Sequence, residues 1–375
     1  MSRIKILHIS ASGNIGGTER MLMYSIPHYD CTKFEMRIVS LVDSIHTIDM
    51  WMKAGIDVLN LKSPGKKFSF KSWWRLRKAI LEWKPDIVFA YGHRASLLGK
   101  LVKLTSLYRF KLIFGHRGAG NYRSRFDTFI ERCLKFLTDL YICNSDAGAE
   151  FLKKKVRVAG NRLMAIPNGI DFVVQENDAK RGDILRKEYL IPDNAVVIGS
   201  VGRLSPIKGH EFLIRAIPKI AESVPNLFLV LVGEDHGEGY LQGVVAELGI
   251  ENRVCFVGLS DEISAWHQIM DVFVLPSLSE GMSVAAIEAM FSGLPIVATN
   301  VGGNPEVIVD NQTGILVSAG DSEALADAIV RLCHDSELRN IMSVAGKERA
   351  HNCFTLSQMI RKYESVFENL CSTMN

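Results

Sequence analysis

No stretch of this chain approaches the roughly 20 consecutive apolar residues that a membrane-spanning helix requires. Its longest apolar runs, such as residues 227–232, have the length of a strand. The N-terminal MSRIKILHIS passes straight into such a run, with neither a long apolar core nor a small-residue cleavage site, so no signal peptide is read there. The seven cysteines are odd in number and form no Cys-x-x-Cys pair. That spacing excludes the usual zinc and redox motifs and fits scattered thiols in a reducing compartment. There is no internal repeat and no low-complexity segment, which excludes a solenoid. No Gly-x-Gly-x-x-Gly and no Gly-x4-Gly-Lys-[Ser/Thr] occurs, so neither a dinucleotide fingerprint nor a P-loop is supported. No Asp-x-Asp pair or His/Cys cluster suggests a metal site. Finger spacing and the RRM and KH signatures are missing too, leaving a nucleic-acid reading without a motif.

What is present describes a two-domain globular chain. It has 375 residues, with 47% hydrophobic and 23% charged. Chains beyond about 250–300 residues usually divide into domains, and this composition is that of an ordinary globular protein rather than a disordered, collagen-like or coiled-coil one. Strand-like runs at 4–9, 36–42, 87–91, 111–114 and 140–143 alternate with helical patterns at 19–26, 48–54, 73–83, 95–104 and 126–137. A second series follows, with strands at 196–201, 228–232, 254–257, 272–275, 295–298 and 315–317. Its helices are expected at 209–220, 240–248, 264–270, 284–291 and 322–333, before a helical tail at 356–370. Such alternation predicts parallel sheets flanked by helices, and two series predict two doubly wound α/β domains. The turn Ile166-Pro-Asn-Gly169 and the polar stretch 175–181 mark the expected boundary. The division is read as 1–170, 171–354, and a C-terminal helix, 355–375, packing back on the first domain.

The small net charge of +3 hides an asymmetry. Residues 1–165 carry 29 Lys and Arg against 13 Asp and Glu, while 166–375 carry 15 against 28. One segment of the basic half, KKFSFKSWWRLRKAILEWK from Lys66 to Lys84, interleaves cations with Trp73, Trp74, Leu76, Ile80 and Trp83. Trp73, Leu76, Ile80 and Trp83 share a helical face. Two readings stand: a helix lying on an anionic membrane surface, with Lys66, Lys67, Lys71, Arg75, Arg77 and Lys78 toward lipid, or a packed amphipathic helix with a solvated basic face.

Three strand-to-helix turns carry the chemistry. Gly13-Asn-Ile-Gly16-Gly17-Thr-Glu19 follows the first strand, and its glycines permit close approach of an anion to a helix N-terminus. Gly202-Arg203-Leu-Ser-Pro-Ile-Lys208-Gly209 places a guanidinium and an ammonium on one loop, which suits a diphosphate. Pro276-Ser-Leu-Ser-Glu280-Gly281-Met282-Ser283-Val284-Ala-Ala-Ile-Glu288 sets one carboxylate on the rim of a helix start. The second lies on that helix, able to accept from sugar hydroxyls. Glu288 is read as buried in an apolar helix and hence in need of a partner.

These turns, with Ile166-Pro-Asn-Gly-Ile-Asp171, Gly293-Leu-Pro-Ile-Val-Ala-Thr and Gly302-Gly-Asn-Pro-Glu306, resemble family 4 of the retaining glycosyltransferases nearly end to end. The resemblance implies the GT-B architecture, two Rossmann-like domains facing across a cleft that closes when the donor binds. It implies that Arg203 and Lys208 bind the nucleotide diphosphate, and that Glu288 holds the ribose hydroxyls. The amides of Gly281, Met282, Ser283 and Val284 meet phosphates and donor sugar, and Gly16 and Gly17 approach the diphosphate from the N-terminal domain. Glu280, touching the donor sugar, and His116, at the end of a strand, are the implied catalytic residues. His93 is a rival to His116, and His93 and Arg117 are candidates for the acceptor side. The chain departs from the family pattern at Phe89 and Tyr91, where histidines are frequent, and at Gly233-Glu234-Asp235, in place of Gly-Asp-Gly.

The activity implied is retaining transfer of a hexosyl or hexosaminyl group from a nucleotide sugar, UDP-linked by preference. The acceptor would be a glycan or lipid-linked molecule in cell-surface polysaccharide, lipopolysaccharide or glycoconjugate synthesis. The expected setting is cytoplasmic and peripheral to the membrane, with no cofactor, no metal and no nucleic acid. A nucleotide-sugar epimerase on the same fold and a non-catalytic glycan- or nucleotide-binding subunit are the alternatives. A glycosidase-like carboxylate pair is not what the spacing shows.

Overall fold

The computed structural model describes residues 3–11, 16–63, 69–118 and 124–372. Gly13 of the first glycine turn, and Lys66 and Lys67 of the basic segment, lie outside the described residues. The chain divides into two compact units, Met1–Ile170 with Leu356–Asn375, and Asp171–Thr355.

In the first unit the chain runs β1 (Ile4–Ser10), α1 (Gly17–Ser25), β2 (Phe34–Val42), α2 (Ile45–Lys53), β3 (Val58–Ser63) and α3 (Phe70–Trp83). It continues β4 (Ile87–Tyr91), α4 (Gly92–Thr105), β5 (Lys111–His116), α5 (Arg125–Leu134), β6 (Leu140–Cys143), α6 (Asp146–Phe151) and β7 (Leu163–Ala165). The strands pair in parallel in the order β3-β2-β1-β4-β5-β6-β7. In the second unit α7 (Asp178–Glu188) precedes β8 (Val196–Val201), α8 (His210–Ser223), β9 (Leu227–Val232), α9 (Tyr240–Leu248) and β10 (Val254–Gly258). Then come α10 (Ile263–Gln268), β11 (Val272–Leu275), α11 (Val284–Phe291), β12 (Ile296–Thr299), α12 (Asn304–Val307), β13 (Gly314–Val317), α13 (Ser322–His334) and α14 (Ser336–Cys353). This sheet is also parallel, ordered β10-β9-β8-β11-β12-β13. The expected α/β class, two doubly wound sheets, is therefore what the chain forms. No described helix is long and apolar enough to cross a membrane.

The structure adjusts two bounds read from the sequence and decides between the two readings of the basic aromatic segment. The polar stretch 175–181, read with Ile166–Gly169 as marking the boundary, runs into α7, which begins at Asp178 and buries Gly182 and Leu185. The strand read at 111–114 extends to His116, and that histidine stands at the end of the strand as expected. In α3, Leu76 and Ile80 are fully buried, and Trp73 and Trp83 pack partly buried against the same core. The Trp83 ring also lies under Arg37 and Lys5, at 5.0 and 5.6 Å. The apolar stripe of this helix is thus its core face, and those two tryptophans are not available to a lipid surface.

The last helix, α15 (Leu356–Ser372), belongs to the first unit. Its Phe367 is wholly buried, with ring centroids 5.9 Å from Tyr29, 6.0 Å from Phe34 and 6.3 Å from Phe89. Truncating a fully buried phenylalanine removes its transfer energy and leaves a cavity. Phe367→Ala should therefore destabilise the first unit by about 3–5 kcal/mol in denaturant titrations; a loss below about 1 kcal/mol would show that α15 is not part of that core.

Three histidines are buried in the neutral form. Burial pushes His8 down to about 3, helped by the positive field of Arg117. Burial does the same to His210, helped by Lys208, and to His267, each to about 3. The unfolded chain takes up these protons near pH 6.5, whereas the folded chain does not until about pH 3. Their contribution to stability is therefore complete above pH 6.5 and lost as pH falls toward 3. Each histidine should add a slope of about 1.4 kcal/mol per pH unit in that window. Urea unfolding followed from pH 7 to pH 5 should lose stability, and His267→Gln should flatten the slope by one histidine's share. An unchanged slope in that variant would remove the assignment.

Candidate functional site in the second unit and the residues expected to serve it

Doubly wound sheets leave a crevice where the strand order reverses, beyond the carboxyl ends of the strands. In the second unit the order reverses between β8 and β11, which pair directly. The loops after these two strands hold most of the residues expected to bind a donor. After β8, Arg203 is exposed, and a 3-10 turn, Pro206–Lys208, carries Lys208 to the start of α8. After β11, the 276–283 loop carries Glu280 and leads into α11. The structure brings Lys208 and Glu280 into an ion pair, with side chains only 22% and 10% exposed.

The two loops are also joined by backbone. The Leu278 N–H donates to the Ile207 carbonyl at 2.9 Å. Gly209 adopts φ +66°, and a Cβ there would lie 2.1 Å from the Pro276 carbonyl oxygen. No other residue allows both that backbone and that approach. A similar demand occurs at Gly233, with φ +152°, where a Cβ would stand 1.9 Å from the Gly202 carbonyl oxygen. The departure Gly233-Glu234-Asp235 is therefore laced onto the Arg203 loop. Leu204 N–H donates to Glu234 O at 2.9 Å, and His236 N–H to Leu204 O at 3.0 Å. The Asp235 carboxylate accepts from the Gly237 and Gly239 amides at 2.7 and 3.0 Å, which holds it below the usual carboxylate range.

Glu280 is oriented from several sides. The Ser277 hydroxyl donates to Glu280 Oε1 at 3.0 Å, and the Thr299 hydroxyl donates to the Ser277 carbonyl at 2.6 Å. The Asn304 amide in turn donates to the Thr299 carbonyl at 2.9 Å. Ser277, Thr299 and Asn304 are buried and were not singled out from sequence. Each lies within a motif read from the sequence, Ser277 after Pro276, Thr299 at the end of Gly293-Leu-Pro-Ile-Val-Ala-Thr and Asn304 in Gly302-Gly-Asn-Pro-Glu306. The Ser283 side chain caps α11 by accepting from the Ala286 amide at 3.2 Å, at a helix start that carries positive partial charge. Glu288, on α11, is half-buried rather than sunk in the apolar interior. Val284 and Ala285 share that partly exposed side, while Ala286, Ile287, Ala289 and Met290 face the core.

This arrangement is suited to an anion. It offers a guanidinium, an ammonium already steered by a carboxylate, and the start of a serine-capped helix. Preorganised donors of this kind stabilise charge that develops on a departing group. Among the described residues no group of three or more His, Cys, Asp or Glu side chains is placed to hold a metal ion.

The expected residues of the first unit fall into different settings. Gly16 caps α1, and its amide donates to Glu19 Oε2 at 3.1 Å. Ser10 donates to the other oxygen of Glu19 at 3.0 Å, and burial pushes that carboxyl up. A Cβ on Gly17 would meet nothing within 4 Å, so that position faces open space. His116 ends β5, 8% exposed, with its ring stacked on Phe151 at 5.7 Å. His93, in the first turn of α4, faces two carboxylates, with Nε2 3.2 Å from Asp127 and Nδ1 3.8 Å from Glu131.

Arg117 donates to Asn168 Oδ1 at 2.7 Å and to the Tyr363 hydroxyl at 3.4 Å, and lies 5.5 Å over the Tyr91 ring. It thus ties the end of β5 to α15. His8, not singled out from sequence, sits across from Phe89 on β4 and hydrogen-bonds the Tyr91 hydroxyl at 3.1 Å. Its ring stacks on those of Phe89 and Tyr91, the two positions where the chain lacks histidines.

Comparison with known proteins identifies this architecture. Residues 15–173 match a family model described as Glycosyltransferase Family 4, and residues 182–349 one described as Glycosyl transferases group 1. The UDP-Gal:alpha-D-GlcNAc-diphosphoundecaprenol alpha-1,3-galactosyltransferase of Escherichia coli is 25% identical, covering 98% of this chain and 97% of the relative. The D-inositol 3-phosphate glycosyltransferase of Corynebacterium diphtheriae is 32% identical over 67% of this chain and 61% of its own length. Among solved structures, Anabaena HepE in complex with UDP and glucose superposes with a TM-score of 0.86 at 22% identity, covering 98% of this chain and all of that one. A glycosyltransferase from Rickettsia africae gives 0.87 at 20% identity, over 99% of each chain. The structural likeness is one of fold, and the sequence matches cover both halves of the chain. The protein belongs to the family 4 glycosyltransferases.

Proposed function

We propose that the protein is a retaining glycosyltransferase that uses a nucleotide-diphosphate sugar, UDP-linked, and a glycan or lipid-linked acceptor. The observation that carries this reading is the pairing of Lys208 with Glu280 at the strand-order reversal, beside Arg203 and the capped start of α11. Two similarities support the choice of donor and acceptor. The E. coli relative is named for UDP-Gal and a diphosphoundecaprenol-linked acceptor, and the HepE structure holds UDP.

In this reading Arg203 and Lys208 take the diphosphate, with the amides of Gly281, Met282, Ser283 and Val284 facing phosphate and sugar. Glu288 accepts from the ribose hydroxyls, and Glu280 orients the donor sugar while holding Lys208 in place. Gly17, where no Cβ intrudes, leaves room for an anion beside the start of α1. The bond from the anomeric carbon to the diphosphate oxygen breaks with its electron pair, and the acceptor hydroxyl oxygen bonds that carbon from the same face. The hydroxyl proton passes to the departing phosphate. His116 orients the acceptor hydroxyl, while Asp127 and Glu131 hold His93 in a supporting place.

Arg203→Ala and Lys208→Ala should each cost about 2–4 kcal/mol of transition-state stabilisation, about 30- to 900-fold in kcat/KM, read as UDP release with a nucleotide-sugar panel. Thermal melting should change little for Arg203→Ala, since that side chain is exposed. Near-full turnover in either variant would overturn the assignment.

Charge neutralisation by protein cations and amides leads to a second expectation. Turnover should persist after EDTA treatment and dialysis. Loss under those conditions, restored by Mg²⁺ or Mn²⁺, would replace this part of the mechanism with metal-assisted departure.

A further inference from the structure

Helix α6 has six residues and carries a glycine, Gly148, in its first turn. Glycine weakens a helix relative to alanine, and this backbone is helical, so no left-handed turn calls for it. What calls for it is a neighbouring side chain. A Cβ at 148 would stand 3.3 Å from His116 Cδ2 and 3.2 Å from Ser145 Oγ, both tighter than ordinary van der Waals contact. It would also meet the Gly118 carbonyl oxygen at 3.4 Å. One turn further, Phe151 lays its ring on the same imidazole, with centroids 5.7 Å and planes 9° apart. That is offset stacking, a preferred arrangement of aromatic pairs. Gly148 and Phe151 are three residues apart and share the face that α6 turns to the end of β5.

The helix is itself held in place. Ser145, fully buried, caps it by accepting from the Gly148 amide at 3.1 Å. The Asn144 amide donates to the His116 carbonyl at 3.3 Å, so the chain entering α6 is tied to the backbone of the histidine. At the other end Leu152 is wholly buried in a cluster with Phe114, Tyr141 and Cys143, and Ala149 and Phe151 pack against it. Phe114 lies two residues before His116, on the same face of β5, with its ring 6.1 Å from the imidazole. His116 therefore extends a packed row to the carboxyl edge of the sheet, where it keeps a small exposed edge.

We propose that Phe151 and Gly148 are positioning residues for the transfer reaction. Phe151 fixes the plane of the His116 imidazole, and Gly148 leaves the gap in which that ring lies. Both act through His116, and the inference rests on the reading of His116 as the residue that orients the acceptor hydroxyl. A histidine turns about two side-chain bonds, the second of them with broad wells. Once the ring plane is set, the direction of both ring nitrogens is set with it, and the hydroxyl meets a partner already oriented. Without the stack the ring spends part of its time turned away. That loss falls on transfer and not on donor binding, which the proposed reading gives to the loops after β8 and β11.

The test uses the full chain, with UDP-galactose as donor probe and a short-chain alkyl diphosphate of GlcNAc as acceptor probe. Phe151→Leu, which keeps apolar bulk, and Gly148→Ala, which favours the helix, should each lower kcat for transfer about tenfold. The donor KM should be unchanged in both. Phe151→Tyr, which keeps a ring, should restore most of the loss. In a His116→Ala background Phe151→Leu should cost nothing further, because residues that act as a unit are not additive. A second readout is independent of turnover: ¹⁵N NMR of the imidazole at about pH 8, where an ordinary histidine is neutral, with the His116 signals identified by their loss in His116→Ala. In the parent and in Phe151→Tyr the two ring nitrogens should keep the well-separated shifts of one tautomer, and in Phe151→Leu they should draw together. Undiminished transfer by Phe151→Leu while His116→Ala is impaired would overturn this inference alone. So would a further loss from Phe151→Leu in the His116→Ala background, or an unchanged imidazole spectrum in Phe151→Leu. Undiminished transfer by His116→Ala would overturn the placing of His116 in the reaction, and this inference with it.

Discussion

Parallel pairing is the constraint on which the site depends. A parallel strand cannot return by a tight turn, so each crossover passes through a helix and the strand-to-helix loops emerge at the same edge of the sheet. In the second unit this places the loop after β8 next to the loop after β11, although Lys208 and Glu280 are far apart in sequence. The two described glycines with the tightest approaches to backbone, Gly209 against Pro276 and Gly233 against Gly202, lie at the same end. The backbone is drawn together there until only hydrogen fits.

That closeness explains how charged groups are held there. A lysine in a half-buried loop loses hydration, and a neighbouring carboxylate compensates. Glu280 serves that purpose for Lys208, and Ser277, itself held through Thr299 and Asn304, fixes Glu280. A diphosphate arriving at Lys208 would meet an ammonium already positioned, so little reorganisation is needed as charge develops. Arg203 differs, since it is exposed and free to reach the anion from its loop.

Much of this was legible in the sequence, and the gaps have physical causes. The strands β8 and β11 and the helix α11 are apolar enough to read directly, so the loops between strand and helix could be located. β3, with the alternating VLNLKS, and β7, with only LMA, are too short or too polar to stand out, and they lie at opposite edges of their sheet. α14 buries only Met342, Gly346 and Ala350 over 18 residues, leaving almost no apolar periodicity to detect. Ser277 and Thr299 stood inside motifs, but their roles were not legible because they rest on bonds that only the folded loops bring together. The orientation of α3 was open in sequence because its stripe fits either a core or a membrane. For α5 the stripe of Phe126 and Phe129 is just as visible, but its outward direction depends on Lys100, 31 residues away, which pairs with Glu131 and turns the opposite side inward.

The same non-local logic governs His116. A strand can deliver a histidine to the edge of a sheet, but it does not by itself fix the chain that follows. Here the next residue, Arg117, is fastened to Asn168 and to Tyr363 of α15 and covers the ring of Tyr91. Burying a guanidinium is costly unless its donors are satisfied and its face is stacked, and this setting supplies both. Below it, His8 is kept neutral by burial and by Arg117, and it can still bond Tyr91 without adding a second positive charge. The C-terminal helix therefore does more than cover a sheet. Through Tyr363 and the fully buried Phe367 it anchors the cation that follows β5, and the position of His116 depends on residues almost 250 positions downstream.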